Sequence, residues 1–594
     1  VDSGGLVVGE KWSDLRYCIA ISTGYLILSI SLVFFWAIKG IHSLTGDEPS
    51  YLEIGRRLVD SSTFEQITTE HTVMTESGLY SIHGIGLPIL IAVPNALGGE
   101  TLVRLGLVAL SALLIPILWS VSAPLFPSAR SRAVSIGAIV SSASFVTFAG
   151  QIYPDLVVGV FLLAAIALLW RSPDSASSWL LIGAAVLMAA LPWIHIKYAL
   201  PAGLITLVLA YRFRYQGGRR VWIIILIFGI SVLSYCSWNF FTYGSFSGAY
   251  LGEAVALSTN SLMVFFGLAL DRNAGFLFTS PILWIGVLSL GIFWKRDRLV
   301  AALVILVALY LLVINASHGN LYGGGGFAGR FGVTTATLLT LPTLVGLSAL
   351  LANFPKIWRV VTGVVLAINL FFWALIGPLQ LFTGGSLTLF HKGPDVWVSS
   401  SVVFYRGLAR FLPAFHNPDW FFQHLPNYAW LLVLLVAVVI GVSLRAINAS
   451  GKSRKILFGT MAVLAGLVVA AGVFTQLPAE SVSSRVDVIL TPGVSEIGLV
   501  SQGPNAILQK GTFGLIYDHV ATGPEDLPVG RWELVDAGTG EIISAGEISN
   551  TDGEQVQVIE QFEWGGWLPQ ATLVRFFWYG THIWDLKSVG IASL

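Results

Sequence analysis

Charge is scarce in this sequence: Asp, Glu, Lys and Arg make up 11% of its 594 residues, against about 25% in soluble domains. With 55% hydrophobic residues, such a chain cannot cover itself with a soluble surface. Lys and Arg (33) balance Asp and Glu (33), so no overall basic excess marks it for nucleic acid. Only two cysteines occur, Cys18 and Cys236, both inside apolar runs, which excludes a disulfide framework and a cysteine metal site. His-x-x-x-x-His and His-Glu-x-x-His patterns are absent, as is any His/Cys/Asp cluster with metal-ligand spacing. No residue suggests lipidation.

Long apolar runs are what the sequence has. Runs of about 17 to 23 residues, the length that crosses a bilayer, recur to residue 476 and then stop. They place spans near 17–38, 100–122, 133–150, 155–170, 178–194, 197–210, 221–240, 276–294, 298–315, 332–352, 358–378, 428–448 and 456–476. The fold class is therefore a polytopic α-helical membrane protein of about thirteen spans. Val1 to Arg16 is too polar, and the run after it too long, for a cleaved signal peptide, so that run reads as a retained first span.

With thirteen spans, the clusters Lys11/Arg16, Arg130/Arg132, Arg171, Arg212/Arg214/Arg219/Arg220, Lys295/Arg296/Arg298, Lys356/Arg359 and Arg445/Lys452/Arg454/Lys455 all fall on one side. The positive-inside rule makes that side cytoplasmic. Residues 84–98 are apolar but interrupted by Pro88 and Pro94; a full span there would put several clusters outside, so the segment reads as re-entrant or interfacial. The outer loops are then 39–99, 151–154, 195–196, 241–275, 316–331 and 379–427.

From Glu480 onward there are 15 acidic and 5 basic residues, and the apolar pattern takes a period of two, as in Val486-Asp487-Val488-Ile489-Leu490 and Gln555-Val556-Gln557-Val558-Ile559. With Asp536-Ala537-Gly538-Thr539-Gly540 between two such runs, this predicts hairpins in an all-β sandwich, of jelly-roll or carbohydrate-binding kind. The expected division is a membrane domain, 1–478, and an extracytoplasmic sandwich, 479–594. Trp564, Trp567, Trp578, Tyr579 and Trp584 read either as a carbohydrate-stacking platform or as sandwich core.

Polar chemistry gathers in the outer loops. Gly46-Asp47-Glu48-Pro49 follows the first span, with two carboxylates fixed between a glycine and a proline. Asp47 reads as a catalytic carboxylate or as the cap of a helix starting at Pro49. Residues 49–59 are amphipathic, suiting a surface helix with Arg56 and Arg57 toward headgroups. The same loop holds His71, Tyr80 and His83. Tyr153-Pro154-Asp155 puts a second carboxylate at the depth of Asp47, to orient a hydroxyl, tune a nearby base or cap the next helix. His195 and Lys197 share another outer turn, where Lys197 binds a ligand or snorkels. In the loop 315–331, His318, four consecutive glycines (Gly323–Gly326) and Arg330 make an anion site or a flexible connector. No Gly-Lys-Ser/Thr follows, so it is not a nucleotide loop.

In order and sidedness, Gly46-Asp47-Glu48-Pro49, Tyr153-Pro154-Asp155, Gly275-Phe276-Leu277-Phe278-Thr279-Ser280-Pro281 and Gly329-Arg330-Phe331 resemble the GT-C superfamily of membrane glycosyltransferases, especially the protein O-mannosyltransferase and aminoarabinose transferase branch. The resemblance spans about residues 17–350. It implies inverting transfer of a sugar from a polyprenyl-phosphate donor to a glycan, lipid or protein acceptor, on the outer face of the plasma (inner) membrane. It puts the base at Asp47, with Glu48 and Asp155 orienting the acceptor or modulating the base. Arg330, with Lys197 or His318, would stabilise the departing phosphate, and His71, His83 and Tyr153 would lie on the acceptor side. Some relatives use a divalent cation (Mg, Mn or Ca) near the first loop; no spacing here establishes one. Two other classes of reading are a lipid-linked glycan transporter or flippase, for which no half-chain repeat is visible, and a non-catalytic glycan-binding scaffold.

Overall fold

The computed structural model of the chain describes residues 8–38, 44, 46–68, 72–75, 78–170, 177–216, 218–246, 248–249, 257–272, 274–318, 321–323, 329–378, 411–415, 425–443, 466–469, 482–493, 495, 497–508, 511–536, 541–564 and 570–593. Among the described residues, seven helices are long and apolar enough to cross a membrane. The protein is an integral membrane protein built on a helical bundle, but thirteen uniform spans do not describe it. The run 133–150 is two short helices, Ala129–Val140 and Ala143–Val146, parted where Ser142 turns extended. The run 276–294 is three, Phe276–Thr279, Leu283–Leu288 and Leu290–Arg296. The first of these breaks falls at Ser280-Pro281, because the residue before a proline is pushed out of the helical region. The segment 241–275, read as a loop, contains a helix, Thr259–Leu270, started by a reciprocal Ser258/Ser261 capping box. Of the run 456–476, only 466–469 lie within the described residues.

Within 84–98, residues 86–97 are helical. The helix Gly86–Ser111 is broken at Gly98 and Gly99, and its first limb, about 12 residues or roughly 18 Å, is short of the ~30 Å hydrocarbon core. Against it packs the helix Glu48–Ser61, which buries Tyr51, Ile54 and Gly55 and leaves Arg56 exposed beside Asp60. Gly55 sits where a Cβ would come within 3.2 Å of the Pro88 carbonyl, and Asn95 donates to the Leu52 carbonyl at 2.6 Å. Burying Ile54 and Leu87 stabilises this pair by about 1.5–3 kcal/mol each. A hairpin of β1 (Thr72–Thr75) and β2 (Gly78–Ser81) completes the first loop.

Helix direction sorts the polar residues into two ends. Pro154–Leu169 and Ala199–Arg212 begin near Asp155 and Lys197, whereas Ser178–Ile194 and Arg298–Ala316 finish there, at His195 and Asn315. At their opposite ends Arg212 pairs with Asp297 at 3.0 Å and the Arg296 guanidinium lies 5.6 Å from the Trp170 ring centroid. The Arg212 and Lys295/Arg296/Arg298 clusters thus meet at the end away from Asp155.

The C-terminal strands are β3 (Val482–Leu490), β4 (Gly498–Leu508), β5 (Gly511–Thr522), β6 (Gly530–Asp536), β7 (Ile542–Ile548), β8 (Val556–Trp564), β9 (Gln570–Trp578) and β10 (Ile583–Ser593). They form two antiparallel sheets, ordered β3-β10-β5-β8 and β4-β9-β6-β7. Leu515 and Leu586 from one sheet share a core with Trp532 and Phe576 from the other, which is the sandwich expected from the alternation. The β6–β7 pairing is the hairpin read around Asp536–Gly540. Trp578 and Trp584 are fully buried and belong to the core, while Tyr579 is partly exposed. Trp567 and the side chain of Trp564 lie outside the described residues.

Candidate active site

Asp47 stands at a turn that only a few residues allow. Gly46 has φ +52, the left-handed region that glycine enters without a Cβ clash, and the helix begins one residue after Asp47. Asp47 is in the N-cap position, yet its own backbone is helical and its side chain makes no capping bond. The carboxylate is turned elsewhere. Oδ1 lies 3.2 Å from His83 Nε2 and Oδ2 lies 3.3 Å from Arg330 Nη1. The His83 contact is close but off the line of a good hydrogen bond.

Arg330 is placed by a second left-handed glycine, Gly329 (φ +90), directly before the helix Arg330–Asn353. Nη2 donates to the Gly323 carbonyl at 2.8 Å, and the guanidinium lies over the Tyr153 ring, 4.3 Å from its centroid. Nε is buried with no hydrogen-bond partner among the described residues. Residues Gly324–Ala328, most of the glycine run, lie outside the described residues, as does His71. His318 stacks edge-on against Phe331, with ring centroids 5.5 Å apart.

Asp155 is in the first turn of its helix, whose N-cap is Tyr153. Its Oδ1 accepts from Lys197 Nζ at 3.2 Å and from the Tyr198 hydroxyl at 2.7 Å, and its carbonyl accepts from Thr334 Oγ1. Lys197 Nζ also donates to Asn315 Oδ1 at 3.1 Å, and Asn315 in turn donates to the Phe331 carbonyl. The ammonium lies 4.6 Å from the Phe331 ring centroid. Lys197 is therefore held inward by a carboxylate, an amide and a ring, not snorkelling outward, and its partners bind the helix starting at Arg330.

Glu48 faces away from Asp47's partners. Fully buried, it accepts from Arg104 Nη1 at 3.2 Å and from the Ile152 amide at 2.9 Å, while the same Nη1 donates to the Gly150 carbonyl. The pair clamps the start of the helix Glu48–Ser61 onto the turn just before Tyr153, and so sets Asp47 against Tyr153 and Arg330. Sequence reading passed over Arg104, Tyr198 and Asn315; an arginine inside an apolar run was a signal for the first.

His195 ends the helix Ser178–Ile194, with its Nδ1 accepting the Lys197 amide at 3.2 Å. Burial, with the nearby Lys197 charge adding to it, holds its pKa well below the usual histidine value. The ring is neutral at physiological pH, and because Nδ1 accepts, the proton is assigned to Nε2.

These residues do not fit a divalent cation. Among the described residues no three His, Cys, Asp or Glu side chains converge, and the second oxygen of Asp47 faces the positive Arg330.

The chain matches no protein-family model and no curated protein sequence. Among solved structures it is similar to ArnT from Cupriavidus metallidurans bound to undecaprenyl phosphate (16% identity, 77% of this chain and 76% of that chain, TM-score 0.39). It is also similar to the oligosaccharyltransferase AglB from Archaeoglobus fulgidus in complex with an inhibitory peptide and a dolichol-phosphate (12%, 71% and 60%, 0.37). A third is the arabinosyltransferase EmbB from Mycobacterium smegmatis (10%, 100% and 66%, 0.37). All three are distant by identity and by superposition.

Proposed function

We propose that this chain is an inverting membrane glycosyltransferase that moves a sugar from a polyprenyl-phosphate donor to an acceptor hydroxyl on the extracytoplasmic face of the plasma membrane. Residues 1–478 carry the catalysis and residues 479–594 form a separate sandwich. The observation that carries the reading is the position of Asp47, one oxygen toward His83 and the other toward Arg330. A carboxylate able to take a proton and a cation able to take a phosphate are in contact, at the helix ends opposite the basic clusters.

The donor phosphate takes the Arg330 fork, whose Nε has no partner among the described residues, and displaces Asp47 from Nη1. Lys197, His318 and the N-terminus of the helix at Arg330 add to the favourable field. Released from the ion pair, Asp47 accepts the proton of the acceptor hydroxyl as its oxygen attacks the anomeric carbon from the face opposite the phosphate. The bond from that carbon to the phosphate oxygen breaks, the electron pair leaves with the phosphate, and Arg330 stabilises the charge formed. Tyr153 supports the guanidinium from below, Asp155 holds Lys197 in place, and Glu48 acts only through the clamp with Arg104.

The test is transfer of radiolabelled sugar from a polyprenyl-phosphate donor by the purified full chain in lipid nanodiscs. Transfer with inverted anomeric configuration supports the reading. Movement of intact donor across vesicles without cleavage of the sugar–phosphate bond replaces it with transport.

A further inference from the structure

A short stretch of chain far from Arg330 in sequence, residues 411–415, braces it from two sides. The stretch is neither helix nor strand, and Ala414 and Phe415 are fully buried, so its backbone polar groups need partners from elsewhere. Asn427, near the start of the helix Leu425–Ser443, serves both polar groups of Ala414: Oδ1 accepts the amide at 2.7 Å and Nδ2 donates to the carbonyl at 2.9 Å. Trp430, on the same helix, donates to the Phe411 carbonyl at 2.8 Å. Phe415 takes its partners from the surroundings of Arg330 instead.

The Phe415 amide donates to Asp271 Oδ2 at 2.7 Å, and the Phe415 carbonyl accepts from the Tyr322 hydroxyl at 3.0 Å. Asp271 is fully buried. Its Oδ1 accepts the Ala274 amide at 2.9 Å and so fixes the turn that follows the helix Thr259–Leu270. That turn abuts Gly329, where a Cβ would come within 3.1 Å of the Ala274 carbonyl oxygen. On the other side, Tyr322 precedes Gly323, whose carbonyl accepts from Arg330 Nη2 at 2.8 Å, and a Cβ at Gly323 would come within 2.6 Å of Arg330 Nε. From Arg330 through Tyr322, Phe415 and Asp271 to Gly329, the contacts close a ring. Tyr322 itself has φ +55, a conformation that a bulky side chain adopts only where its surroundings impose it. Its hydroxyl lies so close to Gly267 that a Cβ there would overlap it.

We propose that Tyr322 and Asp271 are positioning residues of the donor-phosphate site: tied together through Phe415, they fix the Gly323 carbonyl and the turn against Gly329, and so hold the Arg330 guanidinium in the pose that takes the phosphate. The assignment rests on the reading of Arg330 as the phosphate ligand and adds what keeps it in place. A fork that is already oriented loses less conformational freedom when the phosphate binds. Slackening the ring therefore weakens phosphate binding although neither residue touches the phosphate.

The experiment separates the contribution of the phosphate from that of the lipid tail. Equilibrium binding of undecaprenyl phosphate, carrying no sugar, and of undecaprenol, its neutral alcohol, is measured on the full chain in lipid nanodiscs. Tyr322→Phe removes one hydroxyl and should weaken phosphate binding about fivefold while leaving the alcohol unchanged. In an Arg330→Ala background the same substitution should change nothing, because the group it positions is gone. Asp271→Asn, which offers one acceptor oxygen to two amides, should reproduce both results. Parental phosphate binding in either variant, equal weakening of phosphate and alcohol, or the same loss with and without Arg330 overturns the assignment. If Arg330→Ala by itself leaves phosphate binding at the parental level, the phosphate reading of Arg330 falls and the assignment with it. Weakened binding in Arg330→Ala beside parental binding in Tyr322→Phe removes the positioning role only.

Discussion

Asp47 and Arg330 are 283 residues apart in sequence and 3.3 Å apart in space, Oδ2 to Nη1. Each directly follows a glycine in the left-handed region, and each sits at the start of a helix. In the proposed mechanism the two groups take opposite tasks, proton acceptance and phosphate binding, and the donor phosphate separates them.

Arg330→Lys keeps the charge but loses the planar fork, and Arg330→Ala loses both. A charge-assisted hydrogen bond contributes about 1.5–3 kcal/mol, so donor affinity should fall about tenfold or more for alanine and by less for lysine. Equilibrium binding of a polyprenyl phosphate measures this, and unchanged affinity in Arg330→Ala would remove the phosphate assignment.

Glu48 and Arg104 predict a stability effect rather than a direct chemical one. Removing Arg104 leaves the buried Glu48 carboxylate without that cation, at about 3–5 kcal/mol, so Arg104→Met should lower the melting temperature markedly; Glu48→Gln should lower it less, because Arg104 Nε keeps the Glu100 carboxylate at 2.8 Å. The double substitution Glu48→Leu with Arg104→Met should recover much of that loss. If the single variants melt with the parent protein, the clamp is not a stability element.

Orientation can be checked with single cysteines on a background in which Cys18 and Cys236 are replaced by alanine. Ser62→Cys and Ser549→Cys, both at exposed positions, should react with an impermeant thiol reagent in intact cells. Ala123→Cys, exposed near the basic Arg130/Arg132 cluster, should react only after permeabilisation. The reverse pattern would invert the topology.

His519 in β5 makes the sandwich acid-sensitive. It is 1% exposed, and Nδ1 has no hydrogen-bond partner among the described residues. Burial, opposed in part by Asp518, lowers its pKa to about 4. In the unfolded chain it titrates near 6.5. The neutral ring's contribution is therefore complete above about pH 6.5 and is lost progressively as pH falls through about 4. Melting curves of the full chain at falling pH should show this loss, and His519→Gln should flatten it. An equally steep loss in the variant would assign the acid sensitivity to other groups.

The sequence announced the local half of this arrangement. Gly46 before Asp47 foretold a fixed backbone there, the amphipathic pattern over 49–59 foretold the first-loop helix though not that its apolar face packs on the helix Gly86–Ser111, and the period-two runs foretold the strands. What it withheld was partnership: nothing near Asp155 points to Tyr198 and Lys197, nor anything near Lys197 to Asn315. Hydropathy also cannot see a helix end inside an apolar run, so the breaks at Ser142 and Ser289 passed unread, although Pro281 carried a local signal. The four-residue strands β1 and β2 were too short for alternation to register. The capping alternatives for Asp47 and Asp155 were open in the sequence; side-chain direction decides them, since neither carboxylate caps its helix.

Turnover of Asp47→Asn tests the central claim most directly. Asparagine keeps the shape and removes the basic oxygen, and no capping bond is lost because none is made. Rate is measured with a polyprenyl-phosphate sugar and normalised to folded protein, since Arg330 loses a charged partner. The account predicts a fall of about a hundredfold to ten-thousandfold with the donor still bound; turnover near that of the parent protein would contradict it.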